Sequence, residues 1–346
     1  MLVIRPVTPS DLDQLLALAE LASFGLTTLP KDPDFLQRRI RDSGRAFERI
    51  TDAEPRGESY LFVMEETTTG RILGTSGIVS KVGGFEPFYA FRTETEHYES
   101  EMLGVRREIT TLHLVRDHDG PCEIGSMFVH PDARGHGAGR TLSLARFLFI
   151  AEHPKSFDAT VIAEMRGMID DGGRSVFWDA VGRHFYEIDF PKADYLSILN
   201  KRFIADLMPR HPIYVTLLPA EAQAVIGQVH PDTKPALAIL EVEGFRPTGM
   251  VDIFDGGPVV SCRRDDLRLV RASKRVRVAT VTDEVPDSMA LLVGTTTVAF
   301  RACATHATIT ADGEIALPGN AAEALGIASG DTVRTATLKP TRGSVS

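Results

Sequence analysis

The chain has 346 residues, 43% of them hydrophobic, with a formal net charge of −9 at pH 7; that length exceeds what one core usually encloses, so more than one domain is expected. The acidic balance, with both signs interspersed, speaks against a phosphate-backbone binder, so the expected partners are small molecules, with no nucleic acid and no membrane. Cys122, Cys262 and Cys303 have no disulfide or metal-ligand spacing, Met1–Pro6 is no charged leader, and no apolar run reaches the roughly 18 residues of a membrane span. The expectation is a cytoplasmic chain without metal.

Leu2–Arg5 reads as a strand, and Ser10 with Asp13 opens a helix carrying Leu12, Leu15, Leu16 and Ala19 on one face. Strands follow at Tyr60–Glu65, Ile72–Ser80 and Glu108–Leu114, bounded by Gly or Asp turns. Cys122–Val129 is another, ending at His130-Pro131-Asp132 before a glycine-rich turn and an apolar helix from about Arg140 to Ala151. Ala159–Met165 reads as a strand, Ser175–Tyr186 as a helix and Glu187–Phe190 as a short strand. Lys234–Glu243 is a helix closed by Gly244 and leading into strand-like Met250–Phe254. The likeness of Phe177–Tyr186 to Ala236–Arg246 hints at an internal duplication. After Arg271 the tail is β-like, with Leu291–Ala304 and Thr308–Leu317.

The chemistry is concentrated at Arg134-Gly135-His136-Gly137-Ala138-Gly139, between a strand and a helix. Glycines let the backbone turn tightly and approach a ligand, so that successive N–H groups and the helix N-terminus receive a diphosphate. A bare glycine turn is the bland alternative; the flanking elements favour the ligand reading. The motif resembles the Arg/Gln-x-x-Gly-x-Gly/Ala loop of GNAT enzymes, which implies acyl-coenzyme A. A Rossmann unit lacks its acidic residue downstream, and a Walker loop lacks Gly-Lys-Ser/Thr.

Longer stretches sharpen the resemblance. Leu26-Thr27-Thr28-Leu29-Pro30, Ala163-Glu164-Met165-Arg166-Gly167, Leu207-Met208-Pro209-Arg210-His211-Pro212, Val225-Ile226-Gly227-Gln228-Val229-His230-Pro231 and Asp252-Ile253-Phe254-Asp255-Gly256-Gly257-Pro258 resemble the arginine N-succinyltransferase family over nearly the whole chain. Phe24 departs from the glycine expected there. The resemblance implies transfer of succinyl from succinyl-CoA, the co-substrate, to the α-amine of L-arginine, giving N2-succinyl-L-arginine. It places the proton donor on His230 and a succinyl-CoA contact on Met127, with Val129 and Arg134–Gly139 completing the donor site. An imidazole titrating near neutrality suits protonation of the leaving thiolate, and a main-chain N–H at Met127 suits the developing oxyanion. His211 is the rival histidine. Leu26, Thr27 and Glu164 are the expected acceptor contacts, Glu164 as a carboxylate for the guanidinium. Phe177 and Trp178 read as core.

The expected fold is α/β (α+β) and GNAT-like, as a tandem duplication: residues 1–195 with the CoA loop, 196–272 as a second half carrying the catalytic histidine, and 273–346 as a small C-terminal β-rich appendage. Alternatives are another acyl-CoA or an amine such as ornithine, or a non-catalytic acyl-CoA-binding regulatory subunit; a homo- or hetero-oligomer is compatible with each.

Overall fold

Long apolar stretches separated by polar turns fold here into one continuous sheet with helices on both faces. The computed structural model describes residues 1–22, 28–50, 54–84 and 86–340. The chain begins β1 (Leu2–Pro6), α1 (Leu12–Leu21), α2 (Pro33–Glu48), β2 (Ser59–Glu66) and β3 (Arg71–Val79). Helix α2 starts where Asp32 accepts a hydrogen bond from the Phe35 amide at 3.0 Å and Pro33 supplies a preset φ. A long hairpin follows, β4 (Phe88–Ser100) and β5 (Val105–Asp117), then β6 (Cys122–Val129), α3 (Ala138–Glu152) and β7 (Thr160–Glu164).

Short helices come next: α4 (Val176–Ala180), α5 (Arg183–Tyr186), α6 (Phe190–Leu199) and α7 (Arg202–Leu207), then β8 (Ile213–Tyr214) and α8 (Ala220–Val225). Helix α9 (Lys234–Glu243), β9 (Arg246–Val251), β10 (Pro258–Arg263) and α10 (Arg268–Ala272) precede a tail of β11 (Lys274–Val281), β12 (Met289–Thr295), β13 (Ala302–Ile309), β14 (Ile315–Leu317), α11 (Gly319–Leu325) and β15 (Thr332–Thr337). The strand order is β12-β15-β11-β14-β13-β1-β2-β3-β6-β7-β10-β9-β4-β5-β8. No helix among the described residues is long and apolar enough to cross a membrane.

Alternation along β2 explains the layering. Leu61 and Val63 pack with α1 and α2, whereas Tyr60, Phe62 and Met64 face α3. Helix α3 is buried on nearly every side, because the sheet, α9, α10 and the C-terminal strands all pack on it. Two buried carboxylates at its borders are ion-paired. Glu152 of α3 accepts from Arg334 of β15 at 2.8 Å and from Arg275 of β11, and Glu243 of α9 accepts from Arg268 at 2.6 Å and from the Leu269 amide at 2.9 Å.

Several expectations change. Residues 196–272 do not build a sheet of their own: β10 pairs antiparallel with β7 (Val259 with Glu164 through Arg263 with Thr160), and β9 pairs with β10, so this segment extends the sheet begun at β1. The expected helix over 175–186 breaks at Val181 (φ −123°, ψ −74°), just before Gly182, where a Cβ would lie 2.2 Å from the Trp178 ring. Glu187–Phe190 is not a strand; Asp189 instead caps α6 through the Lys192 amide at 3.2 Å. A local structural likeness joins His130-Pro131-Asp132 and His230-Pro231-Asp232. In each the histidine Nδ1 accepts the amide of the aspartate, at 3.1 and 3.2 Å, at nearly the same φ,ψ (−54°, 139° and −53°, 138°).

The C-terminal strands join the rest at Ile4 of β1 opposite Ala302 of β13, and through Phe300, whose ring lies 5.1 Å from that of Phe149. Phe149 also meets Phe47, Tyr60, Phe62 and Phe157 at 5.3–5.9 Å between centroids. Replacing it with alanine removes the hub of this cluster, and Phe149→Ala is expected to lose about 3–5 kcal/mol, read as a lower urea midpoint that tryptophan fluorescence at Trp178 reports.

Candidate active site

Strands β6 and β7 run parallel but are paired only at Cys122 with Val161 and Glu123 with Ile162. Beyond that point β6 carries a bulge. Gly77 pairs with Gly125 and Thr75 with Phe128, so Ser76 of β3 faces both Ser126 and Met127, and Ser126 takes a positive φ of 54°. Arg39 of α2 holds this turn, its Nη2 2.5 Å from Ser126 Oγ while Nη1 donates to the Thr28 carbonyl. The strands diverge around a cavity of about 990 Å³.

The glycine loop opens on that cavity. Gly135 (φ 87°) and Gly137 (φ 80°) occupy the left-handed region, and Gly137 is the N-cap of α3. A Cβ at either would meet no atom within 4 Å, so backbone conformation rather than packing calls for glycine and the surface above the loop stays open. Arg134 braces the turn, with Nε donating to the Val129 carbonyl at 3.0 Å and its guanidinium 5.7 Å from the Phe128 ring. Among the expected donor-site residues, Met127, Val129, Arg134, Gly135 and Gly139 line the cavity. Ala138 is buried in the core and His136 is exposed on the loop; neither they nor Gly137 stand in the lining.

At the other end five carboxyl groups converge: Glu123 of β6, Glu164 at the end of β7, Asp194 of α6, and Asp252 and Asp255 of the turn before β10. Asp252 accepts the amides of Phe254 (2.7 Å) and Asp255 (2.8 Å); Asp255 accepts those of Gly167 (2.7 Å) and Gly257 (2.8 Å). Enclosure raises the Glu164 carboxyl well above its usual range, and the charges of Glu123 and Asp252 add to this. Asp194 is pushed up to about 7 by burial and then by Asp252, with Arg166 opposing. Glu123 is raised by burial, against Lys201 and Arg39. Enclosure and mutual repulsion therefore disfavour ionisation of these carboxyl groups together.

The expected catalytic His230 is itself absent from the lining, one residue away from it. Its neighbours Pro231, Asp232 and Thr233 line the cavity, and its own amide donates to the Arg166 carbonyl at 2.8 Å. Burial, then the charge of Arg166, lowers the imidazole pKa, while Asp232 and a hydrogen bond to the Ile169 backbone oppose; the ring is therefore neutral at neutral pH. The expected acceptor contacts Leu26 and Thr27 lie outside the described residues, and adjoining Thr28 lines the cavity. His211 is exposed and absent from the lining. Sequence reasoning missed Arg39, Glu123, Asp194, Lys201, Asp252 and Asp255; a signal existed for Glu123, a charge inside an apolar strand, and none for Arg39 or Asp194.

A family profile described as arginine N-succinyltransferase beta subunit matches residues 2–269, and one described as the C-terminal domain of that subunit matches 274–337. The chain belongs to the arginine N-succinyltransferase family. A Yersinia pestis protein named arginine N-succinyltransferase is 42% identical over 346 residues, covering 98% of both chains. A Pseudomonas aeruginosa protein named arginine N-succinyltransferase subunit beta is 46% identical over 279 residues, 80% of this chain and 81% of that one. The solved structure titled arginine/ornithine succinyltransferase subunit AI, also from Pseudomonas aeruginosa, matches with a TM-score of 0.88 at 35% identity, over 98% of this chain and 99% of that one. As a member of this family the protein is an acyltransferase of GNAT-like fold with a strand-rich C-terminal domain.

The raised Asp194 gives a pH test. With a folded pKa near 7 and an ordinary value of 3.8, the native chain holds more protons here than the unfolded chain between those limits, so stability falls as pH rises through about 7. Asp194→Asn removes that loss, and its Tm is expected to exceed wild type by about 2–4 °C at pH 8 and to equal it at pH 4.

Proposed function

We propose that the protein transfers succinyl from succinyl-CoA to the α-amine of L-arginine, giving N2-succinyl-L-arginine and free CoA. One observation carries this reading: a single cavity has an open glycine loop and helix N-terminus at one end, a ring of carboxyl groups at the other, and a strand bulge between them. The first end suits the diphosphate of CoA. The second suits the guanidinium of an acceptor. The bulge brings a main-chain N–H near Met127 to the thioester carbonyl.

In the reaction the neutral α-amine attacks the thioester carbon, the C–N bond forms, and collapse of the tetrahedral oxyanion breaks the C–S bond. The attacking nitrogen loses one proton and the departing thiolate gains one. His230, neutral by virtue of its lowered pKa, takes the first and returns the second through water in the cavity. Glu164, with its neighbours, holds the guanidinium. Ornithine is the second reading, because carboxylates select charge more than shape and a structural relative is titled for both amino acids.

Purified protein incubated with succinyl-CoA and arginine should release thiol and yield a product whose mass and fragments place succinyl on the α-nitrogen; no adduct with either amino acid would end this reading. His230→Ala is expected to lower kcat about 100-fold or more with KM for succinyl-CoA within twofold, and unchanged kcat would remove the histidine from the mechanism. For Glu164→Gln, KM for arginine should rise about tenfold or more while KM for the donor stays constant.

A further inference from the structure

Arg146 lies in the middle of α3, within Leu144-Ala145-Arg146-Phe147-Leu148, and is itself only 3% exposed. Its donors meet neutral groups. Nε donates to the Ser143 carbonyl at 3.2 Å and Nη2 to Ser143 Oγ at 2.9 Å; Nη1 reaches the Gly125 carbonyl only at 3.5 Å, and Nη2 lies 3.8 Å from Met127 Sδ. Among the described residues it forms no ion pair, and burial lowers its pKa to about 10 with no carboxylate opposing. A guanidinium withdrawn from water without an anion is costly, and in an apolar helix a leucine or methionine would serve the fold better.

Its position supplies a reason for the charge. Gly125 and Met127 flank the bulge, just beyond the last paired residues of β6 and β7, and Arg146 lines the cavity there. An acyl chain whose carbonyl rests at the bulge has its far end close to this apex. Arg39, a half-buried arginine of the cavity, comes from the opposite face of the sheet and already feels Glu123; Arg146 has no such anion. Its Nη1 is weakly engaged and the second N–H of Nη2 reaches only Met127 Sδ, which leaves the planar guanidinium one edge to offer a carboxylate as two parallel hydrogen bonds.

We propose that Arg146 binds the distal carboxylate of the donor's acyl group and thereby selects dicarboxylic over monocarboxylic acyl-CoA thioesters. This rests on the reading that succinyl-CoA is the donor. Butyryl-CoA, which has the same four-carbon chain without the second carboxylate, is the comparison.

The test is titration calorimetry of the full-length protein with succinyl-CoA, butyryl-CoA and CoA, without acceptor, so that its outcome does not depend on arginine being the amine. Wild type is expected to bind succinyl-CoA about 30–100-fold more tightly than butyryl-CoA. Arg146→Met should abolish that preference and leave CoA itself within twofold. Arg146→Lys keeps the charge and stem, and should retain a reduced preference, because an ammonium cannot match the bidentate geometry. An undiminished preference in either variant, equal weakening of all three ligands in Arg146→Met, or no preference in wild type overturns the proposal. Should Arg146→Met not fold, the lysine variant decides it alone.

Discussion

Two residue pairs, Cys122 with Val161 and Glu123 with Ile162, hold β6 and β7 together before the strands part. Everything in the site depends on that parting. A parallel ladder continued to Val129 and Glu164 would close the sheet and leave no cavity, since neighbouring strands lie only about 4.8 Å apart. The bulge at Ser126 and Met127 adds twist where the ladder stops, and Arg39 keeps Ser126 in its positive-φ conformation by bonding its hydroxyl. The outer strands remain joined by other routes: β6 to β3 on one side, β7 to β10 on the other. The sheet therefore opens locally without losing continuity.

The opening is charged in a segregated way. The glycine-loop end relies on backbone: glycines at φ 87° and 80° and the first turn of α3, with Arg134 bracing the loop. The other end relies on side chains whose ionised forms are disfavoured by enclosure and by one another, which raises the carboxyls of Glu123, Glu164, Asp194, Asp252 and Asp255. In the proposed function this unfavourable electrostatics is what a guanidinium would relieve on binding. The bonds that Asp252 and Asp255 take from main-chain amides fix the turn before β10 against this repulsion.

Stability comes from a different layer. Helix α3 is the element around which the sheet, α9, α10 and the C-terminal strands assemble, and the phenylalanine cluster at Phe149 joins residues far apart in sequence. The ion pairs of Glu152 and Glu243 sit at its borders, where each carboxylate takes more than one donor and so is not left unpaired in a desolvated place. Packing this tight also explains why α3 begins where it does: Gly137 caps it, and Ala138, the first helical residue, is already in the core.

The sequence by itself determined the elements whose signals are local. The loop Arg134–Gly139 between strand and helix, the strands β2, β3 and β6, the close of α9 at Gly244 and the core role of Trp178 were all legible, because backbone conformation and apolar periodicity are set by residues a few positions apart. Long runs shared with the arginine N-succinyltransferase family also identified the chain. Tertiary structure alone decided the rest. Residues 196–272 looked like a separate half, but whether β9 and β10 form their own sheet or add to β7 is fixed by long-range pairing that no local pattern encodes. The closeness of the Trp178 ring to Gly182, next to the break at Val181, is a tertiary contact, and the strand expected at Glu187 gave way to a cap at Asp189. Convergence of carboxyls from β6, β7, α6 and the turn before β10, and the isolation of Arg146 within α3, exist only once distant segments enclose the same space, since charge and burial belong to the assembled cavity.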